Sequence, residues 1–118
     1  MTTGNSGLDG PFSLSQTGID AAVTLTSPGA YALGKTDTNG TFLISYIGRS
    51  DDDLNGRLKD HEGSHPQFKA HYFPSAKAAF EKECQLYHMF GGPAGELQNK
   101  VHPARPQGIS MRCPICGA

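Results

Sequence analysis

The clearest folding signal in the chain is an Asn39-Gly40 pair that separates two strand-like runs. The first run, GAYAL, covers residues 29–33. The second, FLISYIG, covers residues 42–48 and is rich in β-branched and aromatic side chains. Asn-Gly is favoured in the tight turns that join antiparallel strands, because both residues tolerate positive φ. The sequence therefore predicts a β-hairpin whose second strand ends at Gly48.

A helix is expected directly after this hairpin. Ser50 or Asp51 is a suitable N-cap, since short polar side chains accept hydrogen bonds from the first helical N–H groups. Leu54, Leu58 and His61 then recur at the spacing of one helix face. This helix is expected to pack its leucines against the sheet.

A third strand and a second helix complete the predicted order. Residues 67–73, QFKAHYF, alternate in polarity as a strand does. Residues 75–90, SAKAAFEKECQLYHMF, form a helical segment that stops at Gly91-Gly92. The order β-β-α-β-α predicts a small α/β (α+β) domain in which helices cover a three-stranded sheet.

The chain of 118 residues is the size of a single domain. Residues 1–27 are rich in Gly, Ser and Thr and are expected to form a loose tail up to about residue 10, followed by an arm that packs on the domain. The domain itself is expected to span residues 28–106, and residues 107–118 are expected to form a C-terminal tail.

The three cysteines leave several interpretations open. Cys84 lies within the last predicted helix, whereas Cys113 and Cys116 form a Cys-x-x-Cys sequence near the end. Such a pair is half of a typical structural zinc site, which needs four ligands. A Zn²⁺ site completed by Cys84 and His102, a site completed by a second chain, and two free thiols are all compatible with the sequence.

Charge and hydropathy favour an intracellular, cytoplasmic protein without a membrane anchor. No apolar run approaches the length of a membrane span, and the N-terminus lacks the pattern of a signal peptide. The formal net charge is −1. The first 62 residues carry a balance of −4 and the remainder a balance of +3, so a local basic surface is compatible with this total.

The last predicted helix carries two glutamates that differ in direction. On a helical wheel Glu83 lies within an apolar stripe, whereas Glu81 points to the opposite, polar side. The stripe consists of Ala76, Ala79, Phe80, Tyr87 and Phe90. Because an unpaired buried carboxylate is costly, Glu83 requires an arginine, a set of hydrogen-bond donors or a metal ion.

The corner after the hairpin gathers groups that suit phosphate chemistry. Arg57 and His61 are neighbours on one helix, Arg49 follows the second strand, and Tyr31 and Tyr46 lie on paired strands. Guanidinium groups bind phosphate through forked hydrogen bonds, and Tyr and His can position or transfer protons. Together with an inward carboxylate that holds a divalent ion, these groups suit hydrolysis of a phosphodiester. Half-buried strand tyrosines and a solvent-exposed helix face are the ordinary alternatives.

In these residues the sequence resembles the GIY-YIG nuclease domain, over roughly residues 27–106. The matching positions are Tyr31 in GAY, Tyr46 in YIG, Arg57, His61 four residues later, Glu83 in AFEKE, and Asn99 after the last helix. The resemblance implies a three-stranded antiparallel sheet flanked by helices. It also implies a divalent ion, Mg²⁺ or Mn²⁺, bound by Glu83.

The resemblance further implies the catalytic roles. Tyr31 or Tyr46, in some members together with a histidine such as His61, deprotonates or orients the attacking water. Arg57, with Arg49, stabilises the charged phosphate. The products are a 5′-phosphate and a 3′-hydroxyl.

The expected partner is therefore DNA, with RNA not excluded, and a protein partner that supplies specificity is also considered. Further nucleic-acid contacts are expected at Asn99, Lys100, His102 and Arg105. Two other hypotheses remain at this stage: a nucleic-acid-binding module of the same fold that does not cut, and a small interaction protein.

Overall fold

The computed structural model describes residues 7–90 and residue 97. The elements in chain order are β1 (Asp9–Ser13), α1 (Gln16–Ala22), β2 (Gly29–Thr36), β3 (Phe42–Ser50), α2 (Leu54–Asp60), β4 (Gln67–Tyr72) and α3 (Ala76–Met89). The protein is thus a small α+β fold, with three helices and four strands in the part that the structure describes. No helix in that part is long and apolar enough to cross a lipid bilayer.

The predicted hairpin is confirmed. Strands β2 and β3 pair antiparallel, with Tyr31 opposite Gly48 and Leu33 opposite Tyr46. A shift in register next to Leu33 places one extra residue, Ser45, in β3. The regular pairing beyond this shift fixes which side chains of the two strands share a face of the sheet.

The sheet has four antiparallel strands in the order β1-β4-β2-β3, where three were predicted. The additional strand comes from the N-terminal arm, because Asp9 to Ser13 pair with the free edge of β4. The arm also forms α1, whose N-cap Ser15 accepts a hydrogen bond from the Gly18 N–H. Ile19 of this helix is fully buried. The expected packing arm is therefore an integral part of the sheet and of its core.

Helices cover both faces of the sheet. Alternate residues of β2 point in opposite directions, so that Tyr31 and Leu33 join one apolar cluster and Ala32 joins another. The first cluster includes Leu54 and Leu58 of α2 together with α1. The second includes Leu86 of α3. We call these two faces the α2 side and the α3 side of the sheet.

Two predicted boundaries around α2 are wrong. Strand β3 continues through Ser50, so Gly48 does not end it. The N-cap of α2 is Asp53, which accepts from the Gly56 N–H, and not Ser50 or Asp51. The Ser50 hydroxyl instead accepts from the Asp53 N–H and fixes the turn that leads into the helix.

The long helix α3 begins as predicted, with Ser75 as N-cap accepting from the Ala78 N–H. It carries the expected inward stripe, including Ala79, Phe80 and Tyr87. The glycine pair expected to end it, Gly91-Gly92, lies outside the described residues. The third predicted strand corresponds to β4 and ends one residue earlier than expected, at Tyr72.

Candidate active site

Three aromatic side chains meet on the α2 side of the sheet, and we call them the aromatic triad: Tyr31, Tyr46 and His61. The Tyr31 hydroxyl lies 2.8 Å from His61 Nε2, within hydrogen-bond distance. The ring centroids of Tyr46 and His61 are 5.4 Å apart, and those of Tyr31 and Tyr46 are 6.5 Å apart. The two strand tyrosines and the helix histidine are thus in mutual contact.

Gly48 makes this arrangement sterically possible. It lies opposite Tyr31 in the hairpin, and an ideal Cβ at this position would overlap the Tyr31 Cζ and hydroxyl oxygen. The Tyr31 ring therefore crosses β3 directly over the glycine backbone. This contact gives a physical reason for the glycine of YIG that does not depend on its conformational freedom.

Within the triad, His61 is the group that can accept a proton at neutral pH. Burial, followed by the charge of Tyr46, raises the pKa of Tyr31, and burial also raises the pKa of Tyr46. Burial and the nearby Arg57 guanidinium lower the pKa of His61. At neutral pH both phenols therefore keep their protons, and His61 is a neutral imidazole with one lone pair. When that lone pair lies on Nε2, the Tyr31 hydroxyl donates to it.

Glu83 points inward as the helical wheel predicts, and its partner is Arg49. The residue is 7% exposed, and its Oε1 lies 2.6 Å from Arg49 Nη1. Glu81 of the same helix is partly exposed. The guanidinium also lies 5.2 Å from the centroid of the Phe80 ring. Of the three partners that the sequence allowed for Glu83, the structure gives an arginine.

Asp51 also binds Arg49, and sequence reasoning missed it. Its Oδ1 accepts from Arg49 Nε at 2.6 Å. Burial lowers the pKa of Arg49, but its hydrogen bonds to Asp51 and Glu83 outweigh that effect and hold the pKa above its ordinary value. Three aspartates follow Arg49 closely in the sequence, but such a run before a helix also suits capping, so it does not identify a partner for the arginine.

The aromatic triad and the Arg49–Glu83 pair lie on opposite faces of the sheet. Tyr46 and Gly48 face α2, whereas Ile47 and Arg49 face α3, as strand alternation requires. The negative charge of Glu83 nevertheless raises the pKa of Tyr46 and Tyr31. The two groups therefore interact electrostatically across β3, which lies at one edge of the described sheet.

Arg57 is a cation at the surface and makes no hydrogen bond to the triad or to the Arg49–Glu83 pair. Its side chain is exposed, and within the described ranges it has no ion-pair or hydrogen-bond partner. Its positive charge lowers the pKa of His61 and opposes the upward shifts of Tyr31 and Tyr46. An exposed guanidinium beside the triad is available to a bound anion.

The donor set fits a loosely held Mg²⁺ and does not fit a preformed metal cage. Residues 7–90 and 97 contain no group of three or more His, Cys, Asp or Glu side chains arranged around a common ion position. Glu83 supplies one buried carboxylate, and Asp51 supplies a second on the same guanidinium. Mg²⁺ commonly binds through one or two carboxylates, water and substrate phosphate oxygens.

Several predicted positions lie outside the described residues. These are the predicted nucleic-acid contacts Asn99, Lys100, His102 and Arg105 and the predicted zinc ligands Cys113 and Cys116. Cys84 is described, and it is buried against Phe80 on α3.

The two tyrosines and the histidine lie on one face of the edge strand β3, and the Arg49–Glu83 pair lies on the other. Comparisons with known proteins identified no relative of this chain. No family model, curated protein or solved structure matches the chain.

Proposed function

We propose that this chain is a metal-dependent endonuclease of the GIY-YIG type that hydrolyses DNA phosphodiester bonds. The observation that carries the proposal is the contact between Tyr31, Tyr46 and His61 next to the electrostatically coupled Arg49–Glu83 pair. A fold alone does not require a tyrosine–histidine cluster on one face of β3 and a buried ion pair on the other. Hydrolysis of a phosphodiester uses each of them.

In this proposal the nuclease core comprises β2, β3, α2, β4 and α3. These elements follow one another in the order expected for the family, and β2 is the central strand of the three. Strand β1 and helix α1 extend the core along the free edge of β4. The N-terminal addition thus lies at the opposite edge of the described sheet from β3, which carries YIG.

In this proposal the phosphodiester binds at the β3 edge of the described sheet, near Gly48. The exposed Arg57 guanidinium attracts and orients the phosphate from the α2 side. Arg49 stabilises the negative charge that develops on the pentacovalent phosphate. A divalent ion held by Glu83 supplies additional positive charge to the phosphate oxygens when it is bound.

Water is activated through the hydrogen bond between Tyr31 and His61. The Tyr31 oxygen accepts a proton from the attacking water as its own proton passes to His61 Nε2. This route requires no free tyrosinate, which agrees with the raised pKa of Tyr31 and the neutral His61. The water oxygen bonds to phosphorus as the bond to the 3′-oxygen breaks, and the departing 3′-oxygen takes a proton from solvent. A 5′-phosphate and a 3′-hydroxyl result, and His61 returns its proton to solvent.

One observation favours a second candidate function, a nucleic-acid-binding module that does not cut. Glu83 is already neutralised by Arg49, which is what a purely structural ion pair would look like. This candidate keeps the phosphate contacts of Arg57 and has no use for a divalent ion.

Incubation of the full chain with supercoiled plasmid, branched DNA and RNA distinguishes the two candidates. The endonuclease produces nicked or cut DNA with Mg²⁺ or Mn²⁺ and none with EDTA, and its products carry 5′-phosphates. Metal-independent binding without a product favours the second candidate. The absence of both binding and cleavage contradicts both candidates.

A further inference from the structure

The Arg49 guanidinium lies between two carboxylates of different exposure. Its Nη1 donates to Glu83 Oε1, and its Nε and Nη2 donate to Asp51 at 2.6 and 3.5 Å. The side chains of Arg49 and Glu83 are each 10% exposed, whereas that of Asp51 is 42% exposed. The inner carboxylate is therefore the one that most needs a cation, and the outer one is solvated.

Arg49 retains donors for a third partner. A guanidinium has five N–H groups, and hydrogen bonds to Glu83 and Asp51 engage one on each nitrogen. One N–H group on each Nη therefore remains, and neither has an acceptor among the residues that the structure describes. Phosphate oxygens are ligands that guanidinium N–H groups suit well.

We propose that Arg49 acts as a latch on Glu83: the guanidinium occupies the metal-binding carboxylate until a phosphodiester competes for it. Asp51 is the positioning residue that keeps the released guanidinium at the site. This inference rests on the proposed function, because it concerns how the same site takes up its metal ion. Its consequence is that the divalent ion and the phosphodiester each strengthen the binding of the other.

The charges of the cluster give the physical reason. Arg49, Glu83 and Asp51 together carry one net negative charge, which disfavours a phosphate in the absence of a metal ion. Withdrawal of Arg49 removes a counter-charge from the buried Glu83, and a divalent ion can replace that charge. A divalent ion and an anionic phosphodiester that arrive together satisfy both requirements. Thermodynamic linkage makes this coupling reciprocal.

Binding of Mn²⁺ to the full chain, followed by electron paramagnetic resonance, tests the latch. Dimethyl phosphate serves as a minimal phosphodiester, and its own binding is followed by ³¹P NMR with Mg²⁺ in place of Mn²⁺. We expect saturating dimethyl phosphate to raise the Mn²⁺ affinity at least about fivefold. In Arg49→Gln the Mn²⁺ affinity without phosphate should rise, and the effect of phosphate should be lost.

Two matched controls separate the latch from a simple change of charge. Lys77→Gln removes the same charge from an exposed residue of α3 that has no role in the proposed site, and it should leave the Mn²⁺ affinity without phosphate within about twofold and retain the coupling. Asp51→Asn should weaken Mn²⁺ binding more than Asp52→Asn does, because Arg49 is then held by Glu83 alone. Asp51→Glu keeps the carboxylate and should therefore bind Mn²⁺ with the wild-type affinity. Equal effects of Asp51→Asn and Asp52→Asn contradict the role of Asp51.

If Arg49→Gln does not fold, Arg49→Lys replaces it: the lysine keeps the charge but lacks the planar fork that binds Glu83 or a phosphate, so the coupling should weaken. Binding of both ligands without coupling overturns the latch alone, and metal-dependent cleavage in the plasmid assay would still support the endonuclease. Failure to bind either Mn²⁺ or dimethyl phosphate overturns the latch, and it contradicts the endonuclease as well if no DNA is cut. Coupling in a chain that cuts no DNA supports the latch and counts against hydrolysis.

Discussion

The two sides of the sheet carry different kinds of polar side chain. On the α2 side, Tyr31, Tyr46 and His61 are uncharged at neutral pH and are held by ring contacts and one hydrogen bond. On the α3 side, Arg49 and Glu83 are charged, largely buried and paired. Proton transfer needs groups whose charge can change, whereas stabilisation of a phosphate needs fixed charges. One strand, β3, separates the two environments, and the charge of Glu83 still acts on Tyr46 and Tyr31 across it.

The largest expected difference between the two sides is the change in the free energy of unfolding when an arginine is removed. Arg49→Gln should lower the free energy of unfolding by about 3 kcal/mol, because it leaves the buried Glu83 carboxylate without its arginine. Arg57→Gln should change it by less than about 0.5 kcal/mol, because Arg57 is exposed. Denaturant unfolding measures both. Similar losses of unfolding free energy for the two variants would contradict a larger stabilising role for the buried ion pair than for the exposed Arg57.

A methyl group at Gly48 should disturb the α2 side of the sheet, where Tyr31 lies, more than the α3 side. Gly48→Ala places a Cβ within the Tyr31 ring, and we expect a loss of about 2 kcal/mol in the free energy of unfolding, typical of overpacking. The Tyr31–His61 hydrogen bond should break at the same time, which the ring signals of His61 in NMR spectra would report.

A double-mutant cycle identifies the cause of the Gly48→Ala effect. In a Tyr31→Ala background the ring is absent, so adding Gly48→Ala should cost much less than it does in the wild-type chain. Additive losses would show that the glycine is needed for a reason other than the tyrosine.

The hydroxyl of Tyr31 contributes a smaller term. Tyr31→Phe removes the partner of His61 and should cost about 1 kcal/mol of unfolding free energy. Tyr46→Phe is the matched control, since the Tyr46 hydroxyl has no hydrogen-bond partner among the described residues, and it should cost less. Equal costs in thermal or denaturant unfolding would contradict the assignment of this bond.

The smallest expected effect is the pH response of His61. Burial, then Arg57, lowers its folded-state pKa below 6.5, so the unfolded chain binds more protons between that lowered value and 6.5. The contribution of His61 to stability is therefore present above pH 6.5 and is lost as the pH falls through the folded pKa. Arg57→Gln should raise the pKa of His61 in an NMR titration. An unchanged pKa would place Arg57 too far away to act on the triad.

Local patterns predicted some elements well. The Asn39-Gly40 turn and the apolar stripe of α3 identified the hairpin and the inward direction of Glu83, because both depend on neighbours in sequence. The four-stranded sheet was missed because β1 pairs with β4, more than fifty residues away, and Gly10 and Pro11 interrupt its alternation. Helix α1 has a suitable cap in Ser15, but with seven residues its periodicity is too short to stand out.

The candidate site was predictable as a set of residues but not as a geometry. Sequence order cannot show that β3 continues past Gly48, and this continuation turns Arg49 toward α3 instead of toward Tyr46. Nor can it select Asp51 from three adjacent aspartates as the partner of Arg49. Both outcomes depend on strand alternation and on the position of α3, which are properties of the assembled sheet.

Cleavage of supercoiled plasmid in Mg²⁺ by Glu83→Gln and Glu81→Gln tests most directly whether the buried Glu83 carboxylate takes part in phosphodiester hydrolysis. The glutamine at position 83 can still accept a hydrogen bond from Arg49, so both variants should fold. We expect Glu83→Gln to lose at least about a hundredfold in rate and Glu81→Gln to remain within a few fold of the wild-type chain. Equal rates for the two variants would contradict a role of the buried carboxylate in phosphodiester hydrolysis.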